Sequence, residues 1–132
     1  MSNSSSISRL SKLQRKKIRL GVNVDHIATL RQVRGGQTSY PDLLKHVLIC
    51  EKAGADQITI HLREDRRHIQ LSDLQLLSRE CPLPLNLEMA ATDEMGRLAY
   101  KYKPSWVCYV PEKRAELTTE GGLNVAKNKN YL

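Results

Sequence analysis

The residues that could do chemistry are concentrated in one stretch, residues 58–68, which reads ITIHLREDRRH. Its first half is a short β-branched, apolar run that suits a buried strand, and its second half is dense in histidine, arginine and carboxylates. A strand that delivers His61 at its C-terminal end and then enters a cationic loop is typical of α/β folds that bind phosphorylated small molecules. A solvated charged turn would also explain this cluster taken alone. Three further strand-like runs that end in polar groups favour a site.

Those other strand ends supply more candidate residues. The first run carries Asn23, Asp25 and His26, the third ends at Glu88, and the fourth leads into a loop with Thr118. A histidine and a glutamate near one another can exchange protons at neutral pH if burial raises the pKa of the carboxyl group. Each residue has a structural alternative: His26 as a core histidine, for example, and Glu88 as an ion-pair partner. The set points to proton transfer only if the fold brings the strand ends together.

The elements that must position these residues follow from the hydrophobic pattern. We predict strands from residue 18 to about 25 and over 56–62, 85–89 and 105–110, and helices over 41–53, 73–80 and 93–102. Residues 28–38 mix arginines and glycines and are predicted as a flexible basic loop. Ser72 and Thr92 are predicted helix caps. Leu20, Ile58 and Leu87 are expected to help fill the apolar interior layer that the sheet would enclose if it closed into a barrel.

Strands that alternate with helices predict an α/β fold with a parallel sheet. The strand ends recur at intervals close to those of a TIM (β/α)₈ barrel, which takes about 250 residues. The chain would therefore hold only about the first four βα units. A flavodoxin-like open sheet explains the alternation equally well, but only a barrel gathers all the polar strand ends around one mouth.

Composition limits the other possibilities. With 132 residues and 40% hydrophobic content, the chain can form one small domain or part of one. The net charge of +7 is located in the leader, because six of the 21 basic residues lie within residues 1–19 and the remaining 15 nearly balance the 14 acidic residues. We therefore expect no nucleic acid partner, although a basic RNA-associated protein is a weaker alternative. Residues 1–17 are predicted to be a disordered leader, and their composition also resembles that of transit peptides.

Cysteine usage and hydropathy exclude further classes. Cys50, Cys81 and Cys108 stand far apart without a C-x-x-C pair, which argues against a zinc site and a disulfide framework. A reducing compartment, the cytoplasm, is the simpler expectation. No apolar run approaches the roughly 20 residues of a membrane span, so no membrane association is expected.

Four segments together make the sequence recognisable: LGVNVDHIATLRQVRG, AGADQITIHLREDRRHI, LNLEMAAT and VPEKRAELTTEGGL. They resemble the pyridoxine 5′-phosphate synthase family of vitamin B6 biosynthesis, over about residues 20–126. The resemblance implies a (β/α)₈ barrel, usually an octamer, and a transferase that condenses 1-deoxy-D-xylulose 5-phosphate with 3-amino-2-oxopropyl phosphate. Phosphate and water are released. No metal or organic cofactor is implied, because the amine of one substrate forms the imine with the other.

The resemblance also implies roles for individual residues. The two that resemble the family's proton-transfer groups are His61 and Glu88. Those that resemble contacts to the aminoketone phosphate are Asn23 and Arg34. Those that resemble contacts to the deoxyxylulose phosphate are Asp25, His26, Arg63, His68 and Thr118.

The sequence departs from the family pattern at two places. Relative to the usual family spacing, two residues are inserted in the GGQTSY segment, which is a predicted loop and should tolerate them. After Val125 the pattern gives way to AKNKNYL, so we expect residues 18–126 to be the N-terminal half of the barrel and residues 127–132 a tail foreign to the family. A truncated product is then expected, without strands five to eight and a later catalytic histidine. The alternative is a non-catalytic half-barrel that binds phosphorylated ligands or a partner half.

Overall fold

The structure is a computed structural model that describes residues 18–33, 35–112, 121–129 and 132. It contains one parallel sheet with the strand order β1-β2-β3-β4. The strands are β1 (Gly21–Asn23), β2 (Gln57–His61), β3 (Leu85–Met89) and β4 (Trp106–Tyr109). The helices are α1 (Asp25–Val33), α2 (Leu43–Lys52), α3 (Leu71–Glu80) and α4 (Asp93–Tyr102). The predicted α/β class is confirmed.

The strand order distinguishes the barrel from the flavodoxin-like alternative. Each strand pairs in parallel with the next one along the chain. A flavodoxin-like sheet reverses direction after its first strands, so that its spatial order differs from its sequence order. An unreversed order is that of a (β/α)₈ barrel, and the described residues supply its first four strands with the three connections between them.

Apolar and polar side chains alternate along β2 and β3, so that one face of the sheet is apolar and the other is polar. Ile58, Ile60, Leu85 and Leu87 are fully or almost fully buried. They pack in one cluster with apolar side chains of the helices: Leu43, Val47, Leu74, Leu77 and Met95. The helices therefore cover one face, and the strands' other positions form a more polar row. The prediction that Ile58 and Leu87 fill the interior of the barrel was wrong, because their side chains pack on the face that the helices cover. The same prediction was wrong for Leu20, which is exposed.

Polar residues line the opposite face. Thr59 lies in register with Asn86, and the Asn86 Nδ2 donates a hydrogen bond to the Thr59 Oγ1 at 3.3 Å. Two positions further along β2, the same row reaches His61, which lies in register with Glu88. The face that a barrel would enclose is thus polar and leads to the candidate site.

The first strand is shorter than predicted, and a helix replaces part of the predicted basic loop. The Oδ1 of Asn23 accepts a hydrogen bond from the backbone N–H of Asp25 at 2.8 Å, which turns the chain out of β1 and into α1. Ala28 and Val24 are buried in the core, so α1 is held by packing that its polar sequence concealed. Asp25 and His26 therefore lie on a helix and not on a strand.

The other helix starts follow the chemistry of capping. Thr92 caps α4 as predicted, accepting the backbone N–H of Met95 with its side chain. Asp42, which was predicted to lie within the helix over 41–53, instead caps α2 and accepts the backbone N–H of Lys45. The predicted cap Ser72 was wrong. The α3 helix begins at Leu71, because the backbone N–H of Gln70 donates to the Asp73 Oδ2 at 2.8 Å and so closes the first turn two residues earlier than predicted.

No helix among the described residues combines the length and the apolar character needed to cross a membrane.

Candidate active site

His61 and Glu88 lie side by side at the C-terminal ends of β2 and β3, where they are register partners. Strand C-terminal ends meet at one edge of a parallel sheet, so two residues 27 positions apart come together. One ligand-type atom from each of Asp25, His61 and Glu88 lies within 4.8 Å of the other two. The predicted grouping of these three residues is therefore what the fold produces.

Asp25 anchors the start of α1 to the end of β2. Its Oδ1 accepts the backbone N–H of His61 at 2.8 Å, and its Oδ2 accepts a hydrogen bond from the Asn23 Nδ2 at 2.9 Å. Asn23 in turn caps Asp25. The backbone of His61 is thereby held in place relative to β1 and α1, and the position of its Cα, from which the imidazole extends, is fixed.

Glu112 is the site residue that the sequence interpretation missed. Its Oε1 lies 2.7 Å from the Nε2 of His61, and its Oε2 accepts the backbone N–H of Glu64 at 3.1 Å. Only 4% of the Glu112 side chain is exposed. This carboxylate follows the C-terminal end of β4 by three residues, and its place just after a predicted strand was the signal available in the sequence. The residue predicted from this part of the chain was instead Thr118, in the following loop.

The charged loop after β2 places a second histidine and a buried arginine beside the first. The rings of His61 and His68 are 6.1 Å apart between centroids, and the Nδ1 of His68 accepts the backbone N–H of Ile69 at 2.8 Å. Arg63 is buried, and its Nε lies 3.3 Å from the Oδ1 of Asp65. Two of the predicted phosphate contacts thus lie in the loop that follows His61.

The electrostatics separate the two glutamates. Desolvation raises the pKa of Glu88, and the negative charge of Asp25 raises it further, while His61 opposes the shift. Burial also acts to raise the pKa of Glu112, but hydrogen bonds from His61 and from the Glu64 N–H outweigh it and lower that pKa. Burial lowers the pKa of His68. Two carboxyl groups whose environments push their pKa values apart are typical of an acid or base next to a fixed anion.

The same three groups could hold a metal ion. A carboxylate, an imidazole and a second carboxylate are donors that divalent transition metals accept. Both oxygens of Asp25 already accept N–H groups, however, and the Nε2 of His61 is bonded to Glu112. These hydrogen bonds occupy three of the atoms that could otherwise ligate a cation.

The remaining predicted residues are placed differently. Asn23 is exposed at the end of β1 and is hydrogen-bonded to Asp25. His26 is exposed on the first turn of α1. Arg34 and Thr118 lie outside the described residues, so their predicted roles stay predictions.

Comparison with known proteins identifies the family. The family model of "Pyridoxal phosphate biosynthesis protein PdxJ" matches residues 20–132. The chain is 73% identical over 111 residues to the pyridoxine 5′-phosphate synthase of Bdellovibrio bacteriovorus, covering 84% of this chain and 46% of the relative. It is 60% identical over 117 residues to that of Roseobacter denitrificans, covering 89% and 46%, and 58% identical over 115 residues to that of Ruegeria pomeroyi, covering 87% and 46%. The chain thus spans about half the length of these relatives. The family match agrees with the parallel strands and the polar strand ends, and the chain belongs to the PdxJ family of pyridoxal phosphate biosynthesis proteins.

Proposed function

We propose that this chain supplies half of the active site of a pyridoxine 5′-phosphate synthase. The reaction condenses 3-amino-2-oxopropyl phosphate with 1-deoxy-D-xylulose 5-phosphate and releases phosphate and water. The observation that carries the proposal is the pairing of His61 with Glu88 at adjacent strand ends, with Asp25 beside them. This pairing provides a carboxyl group with a raised pKa next to an imidazole, which is the equipment that general acid–base catalysis requires near neutral pH.

The proposed chemistry is a series of proton transfers. Imine formation, elimination and ring closure each need a proton removed from one atom and delivered to another. In the proposal, Glu88 takes protons because desolvation makes its carboxylate a stronger base, and His61 passes them on. The amine of one substrate forms the imine with the other, so the proposal requires no metal or organic cofactor.

Phosphate binding is assigned to the surrounding basic groups. Arg63 and His68 lie in the loop after β2, close to His61, and offer donors of the kind that phosphate oxygens accept. By the family resemblance, Asp25, His26 and Thr118 join them for the deoxyxylulose phosphate. Asn23 and Arg34 are assigned to the aminoketone phosphate in the same way.

The second candidate function is a non-catalytic half-barrel that binds phosphorylated ligands or a partner half. The extent of the match favours considering it, because the chain spans only 46% of the Bdellovibrio relative. Both candidates place phosphate near Arg63, and they differ only in whether product forms.

The test is a fusion of residues 1–126 to the part of the Bdellovibrio relative that the match leaves uncovered. We expect the fusion to form pyridoxine 5′-phosphate from both substrates, whereas the relative's part alone does not. The mass of the fusion in solution tests the proposed homo-oligomer in the same preparation. A folded fusion that binds both phosphorylated substrates without forming product would favour the non-catalytic candidate.

A further inference from the structure

We propose that Glu112 is a positioning residue that fixes His61 in the tautomer whose Nδ1 accepts protons. The inference rests on the proposed function, since it names the atom of His61 through which protons would pass. Asp25 fixes only the backbone of His61, through the N–H of that residue. Orienting the ring requires a second partner, and Glu112 is placed to be that partner.

The contact between Glu112 and His61 is a buried hydrogen bond made by a carboxylate with two partners, and not an exposed ion pair. One oxygen of Glu112 meets the Nε2 of His61 at 2.7 Å, and the other accepts the N–H of Glu64, three residues further along the chain, at 3.1 Å. Both bonds reach the same loop from the end of β4, two strands away from β2. With 4% of its side chain exposed, the carboxylate has little freedom to exchange these partners for water.

The protonation state follows from the donors around Glu112. Its lowered pKa keeps the carboxylate ionised near neutral pH, and an ionised carboxylate can only accept hydrogen bonds. A neutral His61 must therefore carry its proton on Nε2, which leaves the lone pair on Nδ1. When Nδ1 takes a proton, the negative charge of Glu112 stabilises the imidazolium that forms, as a carboxylate does behind a catalytic histidine.

Several charged or titratable groups surround the ring, and they come from different elements. Asp25 belongs to α1, Glu88 to β3, Arg63 and His68 to the loop after β2, and Glu112 to the residues after β4. Glu112 is the one with a hydrogen bond to a ring nitrogen of His61 among the described residues. Removing its charge should change the ring's tautomer while leaving the phosphate-binding groups in place.

The kinetic test uses Glu112→Gln in the fusion, with Glu64→Gln as the matched control. The control removes an exposed charge three residues from His61, and the backbone N–H that Glu112 needs is retained. For Glu112→Gln we expect kcat to fall about 10- to 100-fold with KM changed less than about threefold, because proton transfer is affected and binding is not. The acidic limb of the pH profile should move to lower pH, since the imidazolium loses a stabilising anion. Glu112→Asp should recover part of the lost kcat.

The tautomer itself can be measured without turnover, from the ¹⁵N spectrum of the fusion labelled at histidine and assigned with His61→Asn. We expect a protonated Nε2 and an unprotonated Nδ1 in neutral His61, and a mixture of both forms in Glu112→Gln. A proton on Nδ1 in the parent, or a Glu112→Gln variant that changes KM alone, overturns the inference. If the fusion forms product but His61 carries its proton on Nδ1, the proposed function stands and the tautomer inference is wrong. If His61 carries its proton on Nε2 but no product forms, the proposed function is wrong and the tautomer assignment stands.

Discussion

Three carboxylates surround His61, and each acts on a different part of it. Asp25 accepts the backbone N–H, Glu112 bonds the ring at Nε2, and Glu88 stands beside the residue in register. Desolvation raises the pKa of Glu88, whereas hydrogen bonds lower the pKa of Glu112. Of these two glutamates, Glu88 is therefore the one prepared to exchange a proton near neutral pH.

The first prediction concerns turnover in the fusion. His61→Asn and Glu88→Gln should each lower kcat about 10²- to 10⁴-fold and change KM far less, because both residues act on proton transfer and not on ground-state binding. Steady-state kinetics with both substrates measures this. A variant that kept near-parental kcat and only needed more substrate would show that its residue binds substrate and transfers no proton.

The second prediction concerns stability against pH. A carboxyl group whose pKa is raised by folding stabilises the protein below its unfolded pKa of about 4.3, and this contribution is lost as pH rises through the folded pKa. Glu88→Gln removes the ionisation, so its melting temperature should exceed that of the parent by about 1–3 °C at pH 8 and match it near pH 4. Thermal melts of the fusion at both pH values measure the difference. An equal gain at both pH values would point to packing and not to charge.

The proximity of two site residues could be predicted from the sequence where both residues end a predicted strand. His61 and Glu88 could be paired from the sequence because both follow alternating apolar runs that predict strands. Glu112 also follows a predicted strand, a position that could have marked it as a candidate, but its bond to a residue 51 positions away could not be predicted from spacing or pattern. The pKa difference between Glu88 and Glu112 is likewise a product of burial and hydrogen bonding, which the sequence does not contain.

At the scale of elements, the unpredicted α1 helix is held to α3 by a buried ion pair. The guanidinium of Arg31 contacts both oxygens of Asp73 at 2.7 and 2.6 Å, with 12% and 7% of the two side chains exposed. This hydrogen bond raises the pKa of Arg31. The sequence showed an arginine in a polar stretch, typical of a loop, because its partner lies 42 residues later.

The third prediction is that breaking this pair destabilises the fold. Arg31→Met leaves the Asp73 carboxylate buried without its cation and should cost about 1–3 kcal/mol of unfolding free energy, whereas Arg79→Met, at an exposed position in the last turn of α3, should cost under about 0.5 kcal/mol. The double variant with Asp73→Asn should lose less than the sum of the single losses. Denaturant unfolding of the fusion carrying each single substitution, and of the double variant, provides these values. Additive losses would mean that the two residues stabilise the protein independently.

At the scale of the whole molecule, β1 and β4 are the edge strands of the sheet within the described residues. β1 pairs only with β2 there, and β4 only with β3. The side chains of Val107 and Tyr109 continue the row that packs beneath the helices, since they lie in register with Leu87 and Met89. Yet 43% and 44% of their surfaces are exposed, and Trp106 beside them is 56% exposed. The sequence predicted β4 correctly but could not show that its apolar side chains stay uncovered.

The fourth prediction follows from that surface: the 132-residue chain on its own self-associates and forms no product. An uncovered strand edge beside exposed apolar side chains favours pairing with another chain, since pairing satisfies backbone groups and buries apolar area at about 25 cal/mol per Å². Sedimentation should show dimers or larger species at micromolar concentration. Val107→Ser should weaken this association, and Ile49→Ser, at an exposed site on α2, should not. Association leaves the chemistry incomplete, because the chain spans about half of its synthase relatives and a second copy only repeats His61 and Glu88. A monodisperse monomer that unfolds cooperatively and turns over both substrates would contradict this prediction.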